Sequence, residues 1–146
     1  MKVVIAGDHH AVELIDKIQS WLEAKSIEFT NVCTASEDKK VSLQKIIPAV
    51  AKVVQFGQAE WGILACGTGV GVEIGANRFK GICASLCRDA EQAKNARIYD
   101  NANILCLGSW YKDDFEKILK AWLENEFDND ERRAQMIKDF DEFAVE

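Results

Sequence analysis

No two cysteines in this chain stand in a CxxC pair, although there are five: Cys33, Cys66, Cys83, Cys87 and Cys106. That spacing excludes a zinc site of the usual kind. The odd count, in a chain without a secretory pattern, speaks against a disulfide framework. Proline occurs once, at Pro48, and histidine twice, at His9 and His10. Linkers, low-complexity stretches and internal repeats are missing, so a single domain over residues 1–146 is expected. No apolar run approaches the ~18 residues that mark a membrane-spanning helix. Residues 1–7 are too short an apolar stretch for a signal peptide and carry no cleavage pattern. The expected location is therefore the cytoplasm, with no membrane partner. A basic footprint is absent, which excludes nucleic acid as the expected partner.

What is present suits one soluble globular unit of 146 residues, 48% hydrophobic and 29% charged. The net charge of -6 is unevenly placed: residues 113–146 hold 12 of the 24 acidic side chains but 5 of the 18 basic ones. Such a tail reads as a solvated helical face.

Short β-branched runs at 3–6, 28–33, 61–66, 82–87 and 103–107 read as strands. Helical patterns lie between them near 11–25, 48–56, 70–79, 89–99 and 112–126, and Val12, Ile15, Ile18, Trp21 and Leu22 mark one apolar stripe of the first. Pro48 is placed at the first turn of the second helix, where its missing N–H costs nothing. Strands alternating with helices predict an α/β, Rossmann-like three-layer domain with a five-stranded parallel sheet. An extra C-terminal helix within 131–146, with no strand after it, is expected to pack on a partner subunit. The four tryptophans read as core or interface.

Ligands of open α/β sheets sit beyond the carboxyl ends of the strands. Those ends carry Gly7-Asp8-His9-His10, Cys66-Gly67-Thr68-Gly69-Val70-Gly71, Cys87-Arg88-Asp89 and Gly108-Ser109. The glycines of the second segment let backbone N–H groups turn toward an oxyanion or phosphate, and the helix that follows adds positive potential. This setting favours the thiolate form of Cys66. The bland reading is a tight βα turn over a buried thiol. The lysine of a phosphate-binding P-loop and the full dinucleotide fingerprint are both missing. Asp8 either orients a ligand or caps the first helix. His9 and His10 can meet an anion or move a proton. Asn101 ends the fourth helix in a left-handed conformation. Arg88, Arg132 and Arg133 read as surface charges or phosphate ligands.

Taken together, Gly7-Asp8-His9, the Cys66 to Gly71 run, Ala76-Asn77-Arg78-Phe79 with Gly81, and Asn103-Ile104-Leu105 with Gly108-Ser109 resemble the ribose-5-phosphate isomerase B and galactose-6-phosphate isomerase family. The resemblance runs from the first strand to the last. It implies a homodimer or tetramer with sites at the subunit interface, a sugar-phosphate substrate, and no metal or organic cofactor. It implies aldose–ketose isomerisation through a cis-enediolate, with Cys66 as proton-transferring base and Thr68 bonding near the thiol. Backbone groups of Gly67, Gly69, Val70 and Gly71 would hold the oxyanion, and Asp8 with His9 the sugar. Tyr99, Asp100 and Arg132 would complete the substrate site. The chain has Tyr99 where the family usually has a ring-opening His, and Trp110 where an Arg commonly follows Gly-Ser. That pattern is closest to the galactose-6-phosphate isomerase B subunit, whose related partner subunit supplies the His, so a hetero-oligomer is also a candidate arrangement. Tetrulose-phosphate isomerases of the family lack the His too. A non-catalytic sugar-phosphate binding module is the competing class. A nucleotide-binding domain is disfavoured because no acidic residue closes the second strand. The order of elements further predicts that Cys66 faces a solvent-reachable pocket shared with Asp8.

Overall fold

The computed structural model describes residues 2–143, so the last three residues of the expected 131–146 helix lie outside the described residues. The aliphatic runs form five strands: β1 (Lys2–Gly7), β2 (Glu28–Asn31), β3 (Trp61–Cys66), β4 (Ala84–Leu86) and β5 (Ile104–Gly108). The helices are α1 (Val12–Ala24), α2 (Leu43–Gln55), α3 (Val70–Ala76), α4 (Ala90–Asp100), α5 (Phe115–Leu123) and α6 (Glu131–Phe140). Every pairing is parallel, in the order β2-β1-β3-β5-β4. Chain order therefore reverses direction at β1, and the crevice between the ends of β1 and β3 is the switch point where such sheets take ligands.

Alternation along the buried strands sends side chains to two cores. Val3, Ile5, Ile63, Ala65 and Leu105 meet Ile15, Ile18, Leu22, Ala93, Ile118 and Trp122 on the face covered by α1, α4 and α5. Val4, Ala6, Leu64, Cys66, Ile104 and Cys106 meet Ile46, Val50, Ala51, Val72 and Ala76 of α2 and α3 on the other. The three-layer α/β expectation holds. α6 stands outside these layers with no buried residue. Among the described residues no helix is long and apolar enough to cross a membrane.

Two boundaries differ from expectation. β4 is three residues long, Ala84–Leu86, rather than 82–87, and asparagine side chains brace its start. The Asn103 Oδ1 accepts from Cys83 N, and Asn77 Oδ1 accepts from Ala84 N while its Nδ2 donates to Ala84 O. α2 does not begin at Pro48 but at Leu43, with Pro48 inside it. The apolar face of Ile46, Ile47, Val50, Ala51 and Val54 buries against the sheet and holds the helix through the lost bond to the Gln44 carbonyl. Restoring that N–H in Pro48→Ala is expected to raise stability by about 1–3 kcal/mol, read as a higher urea midpoint. A lower midpoint would show that the ring itself is needed at that place.

Arg97 was not anticipated as a core residue. Its buried guanidinium lies 4.8 Å over Trp61 and 5.6 Å over Trp122, and its Nε donates to Asn125 O at 3.3 Å. Burial pulls its pKa down, with Glu126 and Glu60 opposing. This stacked cation locks α4 to the end of α5.

Candidate active site

Because β3 lies between β1 and β5, three strand ends meet at Cys66. Asp8 N donates to Ala65 O at 3.1 Å, Ser109 N to Cys66 O at 2.8 Å, and Trp110 N to Gly67 O at 3.0 Å. Ser109 Oγ then reaches back to His10 O at 2.6 Å. The segments after β1, β3 and β5 are thus stitched into one surface with Asp8 beside the end of β3, but the adjacent cleft is lined by neither Asp8 nor the 67–71 loop, so the expected shared cavity is not seen.

Cys66 ends β3 with its side chain on the α2–α3 face. Gly69 carries φ +76°, and this left-handed turn brings its N–H onto Cys66 Sγ at 3.2 Å. Such a bond is stronger to a thiolate than to a thiol. Gly69 is also the N-cap of α3, so the short helix begins at the thiol. Thr68 behaves differently from expectation: its hydroxyl accepts from Val70 N at 3.1 Å, and the sulfur's bond comes from Gly69 instead. Gly67 and Gly69 are buried, Gly71 is half-buried and Val70 is exposed.

Three of the other thiols are poor candidates for ionisation. Burial pushes Cys87 up to about 11, raises Cys106 well above the ordinary range and raises Cys83, whose thiol also feels Asp141 and Asp100. Cys33 is exposed on a loop.

Asp8 is 5% exposed and does not cap α1, whose N-cap is Ala11. Its Oδ1 accepts from His10 N at 2.9 Å, which fixes the turn that carries both histidines. Removing that acceptor in Asp8→Ala is expected to cost about 1–2 kcal/mol, while Asp8→Asn keeps the bond and the melting temperature. Equal melting of the Ala variant and the wild type would show that the turn stands without the carboxylate.

The expected open pocket at the thiol is not found within one chain. Cys66 is 4% exposed, and the neighbouring cleft of about 530 Å³ is lined by His10, Lys17, Ser109, Tyr111 and Phe115 among others, but not by Cys66. Cys66 packs into the α2–α3 core, and the Trp110 indole covers the neighbouring Gly67, where a Cβ would lie 2.5 Å from Cε2. This tryptophan is 62% exposed, neither core nor a cation. Its ring meets His10 edge-on at 5.1 Å, and His10 meets His9 at 4.2 Å. Ser109, noted in the sequence as a strand end, and Trp110, noted as standing in place of an Arg, are brought beside Cys66 and Gly67 by backbone hydrogen bonds.

Tyr99, Asp100 and Arg132 are not brought to this surface. Tyr99 and Asp100 close α4 at the amino edge of the sheet, and α6 carries Arg132 beside them. A six-residue strand separates the two edges by ~20 Å. There Asn101 ends α4 in the left-handed conformation, as expected. Arg133 stacks 4.7 Å over Tyr99 and pairs with Asp128. Partial burial raises the Asp100 carboxyl, and Arg133 opposes it. Arg88 is held by a two-pronged pair with Asp113 at 2.9 and 3.0 Å and stacks on Tyr111. Among the described residues no group of His, Cys, Asp and Glu converges into a metal-ligand set.

A parallel α/β domain with a thiol and a glycine loop at the carboxyl edge of its sheet has the layout on which such folds bind small molecules. Comparison with known proteins gives the family. The family model described as Ribose/Galactose Isomerase matches residues 3–140, and the chain belongs to this family of sugar-phosphate isomerases. It is similar to the 4-deoxy-4-sulfo-D-erythrose isomerase of Clostridium sp. (strain MSTE9), 34% identical over 110 residues, which are 75% of this chain and 69% of the relative. It is 31% identical over 143 residues to D-erythrulose-4-phosphate isomerase 2 of Mycolicibacterium smegmatis, covering 95% of this chain and 94% of that one. The crystal structure of a ribose 5-phosphate isomerase from Thermotoga maritima matches with a TM-score of 0.91 at 37% identity, over 97% of each chain.

Proposed function

We propose that this protein interconverts an aldose phosphate and its ketose phosphate through a cis-enediolate, with Cys66 as the proton carrier. The observation that carries the reading is the Gly69 N–H on Cys66 Sγ at the meeting point of three strand ends. The thiolate takes the proton from the carbon next to the carbonyl. The C–H electron pair becomes the C1=C2 bond, and the carbonyl oxygen becomes an oxyanion facing the N–H groups of the 67–71 loop. The neighbouring hydroxyl loses its proton as the oxyanion gains one. The thiol then returns its proton to the other carbon, so the sugar is isomerised with no net oxidation. Asp8 and His9 hold the hydroxyls.

The substrate suggested is a short open-chain sugar phosphate. Two of the relatives just described bear names of four-carbon compounds. An open chain needs no ring-opening acid, and the Tyr99 hydroxyl supplies a hydrogen bond in place of the family's His. The separation of Tyr99, Asp100 and Arg132 from Cys66 favours a homodimer in which one copy's amino-edge cluster completes its partner's site. The exposed Tyr99, Met136, Phe140 and Phe143 offer an apolar surface for it. Mixing Cys66→Ala with Arg132→Ala, each of low activity alone, is expected to restore roughly a quarter of wild-type turnover after subunit exchange. Full Arg132→Ala activity, or no recovery on mixing, would contradict the shared site.

A further inference from the structure

We propose that Trp110 is the specificity-determining wall of this site, limiting the length of the sugar chain that reaches Cys66; the inference rests on the isomerase reading above. Three observations place it. The backbone of Trp110 is registered to the thiol, since its N–H donates to Gly67 O one residue past Cys66. Its indole lies on the face of Gly67 that a side chain would fill, with Cε2, Cζ2 and Cδ2 all within 2.8 Å of the position of an added Cβ. Its ring stands T-shaped to the His10 ring, with centroids 5.1 Å apart, and the Ser109 hydroxyl donates to the His10 carbonyl at 2.6 Å.

The two rings therefore bridge the ends of β1 and β5 across β3. A sugar whose reacting carbons sit at the thiol, with its oxyanion on the 67–71 loop and its hydroxyls at Asp8 and His9, must run its remaining carbons past Gly67. There it meets the indole. A short chain lays its C–H groups on that surface, and each added carbon is driven into it. The ring is 62% exposed, so no core contact explains a tryptophan here. A flat apolar wall next to a glycine seat is what a length filter requires.

The test is the ratio of kcat/KM for a tetrulose 4-phosphate to that for a pentose 5-phosphate, in wild type, Trp110→Ala and Trp110→Phe. The wall predicts that the ratio falls at least ~10-fold in the Ala variant, as pocket volume of this kind governs discrimination, with Phe between. A ring that merely braces the loop lowers both substrates together and leaves the ratio alone. An unmoved ratio in variants that still fold and turn over overturns the wall while leaving the isomerase reading in place. A wild-type protein that turns over neither compound overturns the isomerase reading, and the wall with it.

Discussion

Cys66→Ala is expected to lower turnover by about 10²–10⁴-fold, the usual worth of a positioned proton-transfer group. The substitution also takes the acceptor from the Gly69 N–H, which sits 3.2 Å from the sulfur in a buried turn. Leaving that donor unpaired costs about 1–3 kcal/mol, so the Ala variant melts somewhat lower yet keeps its fold. Cys66→Ser separates the two effects. Its hydroxyl oxygen accepts the same N–H and preserves stability, but it is far less acidic than a thiol and does not carry the proton. Both variants are thus expected to be nearly inactive, with only Ala losing stability. Turnover that survives in either would remove Cys66 as the base; the buried thiols on the neighbouring strands, Cys87 and Cys106, have raised pKa values and are poor substitutes.

Gly69→Ala is expected to be the most damaging glycine change in the loop. A φ of +76° costs an L-residue about 1–2 kcal/mol by itself. The new methyl would also lie 2.9 Å from Leu107 C and 3.0 Å from Gly108 N, backbone atoms of a central strand that cannot swing aside. The turn would have to open, moving the N–H off the sulfur and the loop donors off the oxyanion. We expect a loss of about 3 kcal/mol or more in stability. We also expect a fall of about 10²–10³-fold in turnover. Gly71→Ala is the control, since its Cβ would meet only the flexible end of Leu43, at 2.8 Å. Comparable losses in the two variants, read by urea unfolding and by turnover, would show that the conformation at Gly69 has no special part.

The layout of this molecule was legible wherever a local rule and the global fold agree. The 3.6-residue stripe of α1 and the β-branched runs marked the elements, and strand-end placement singled out Asp8 and Cys66. Three things were not legible, each for a physical reason. The insertion of β5 between β3 and β4 is a matter of tertiary pairing that leaves no local trace, yet it is what brings Ser109 and Trp110 beside Cys66. Pro48 inside α2 reflects burial of one apolar face overriding a local penalty. The clamp from Asn77 and Asn103 at the start of β4 depends on side chains 20 residues away or at the end of the preceding helix, beyond the reach of strand propensity. At the site, residue types identified the thiol, but only the backbone showed that Gly69, not Thr68, bonds to it. The same backbone puts Tyr99, Asp100 and Arg132 at the opposite edge, which turned a single-chain list of site residues into two separate clusters.

The central claim, that Cys66 moves a proton between adjacent sugar carbons, is tested most directly by isomerisation in deuterated water. Wild-type protein is incubated with tetrulose and pentose phosphates, and the hydrogen beside the carbonyl is followed by NMR. The account predicts deuterium on the carbon that receives the proton, in product or recovered substrate, and none above background with Cys66→Ala. Isomerisation that keeps all of the original hydrogen on carbon, or deuterium uptake that is unchanged in Cys66→Ala, would contradict it.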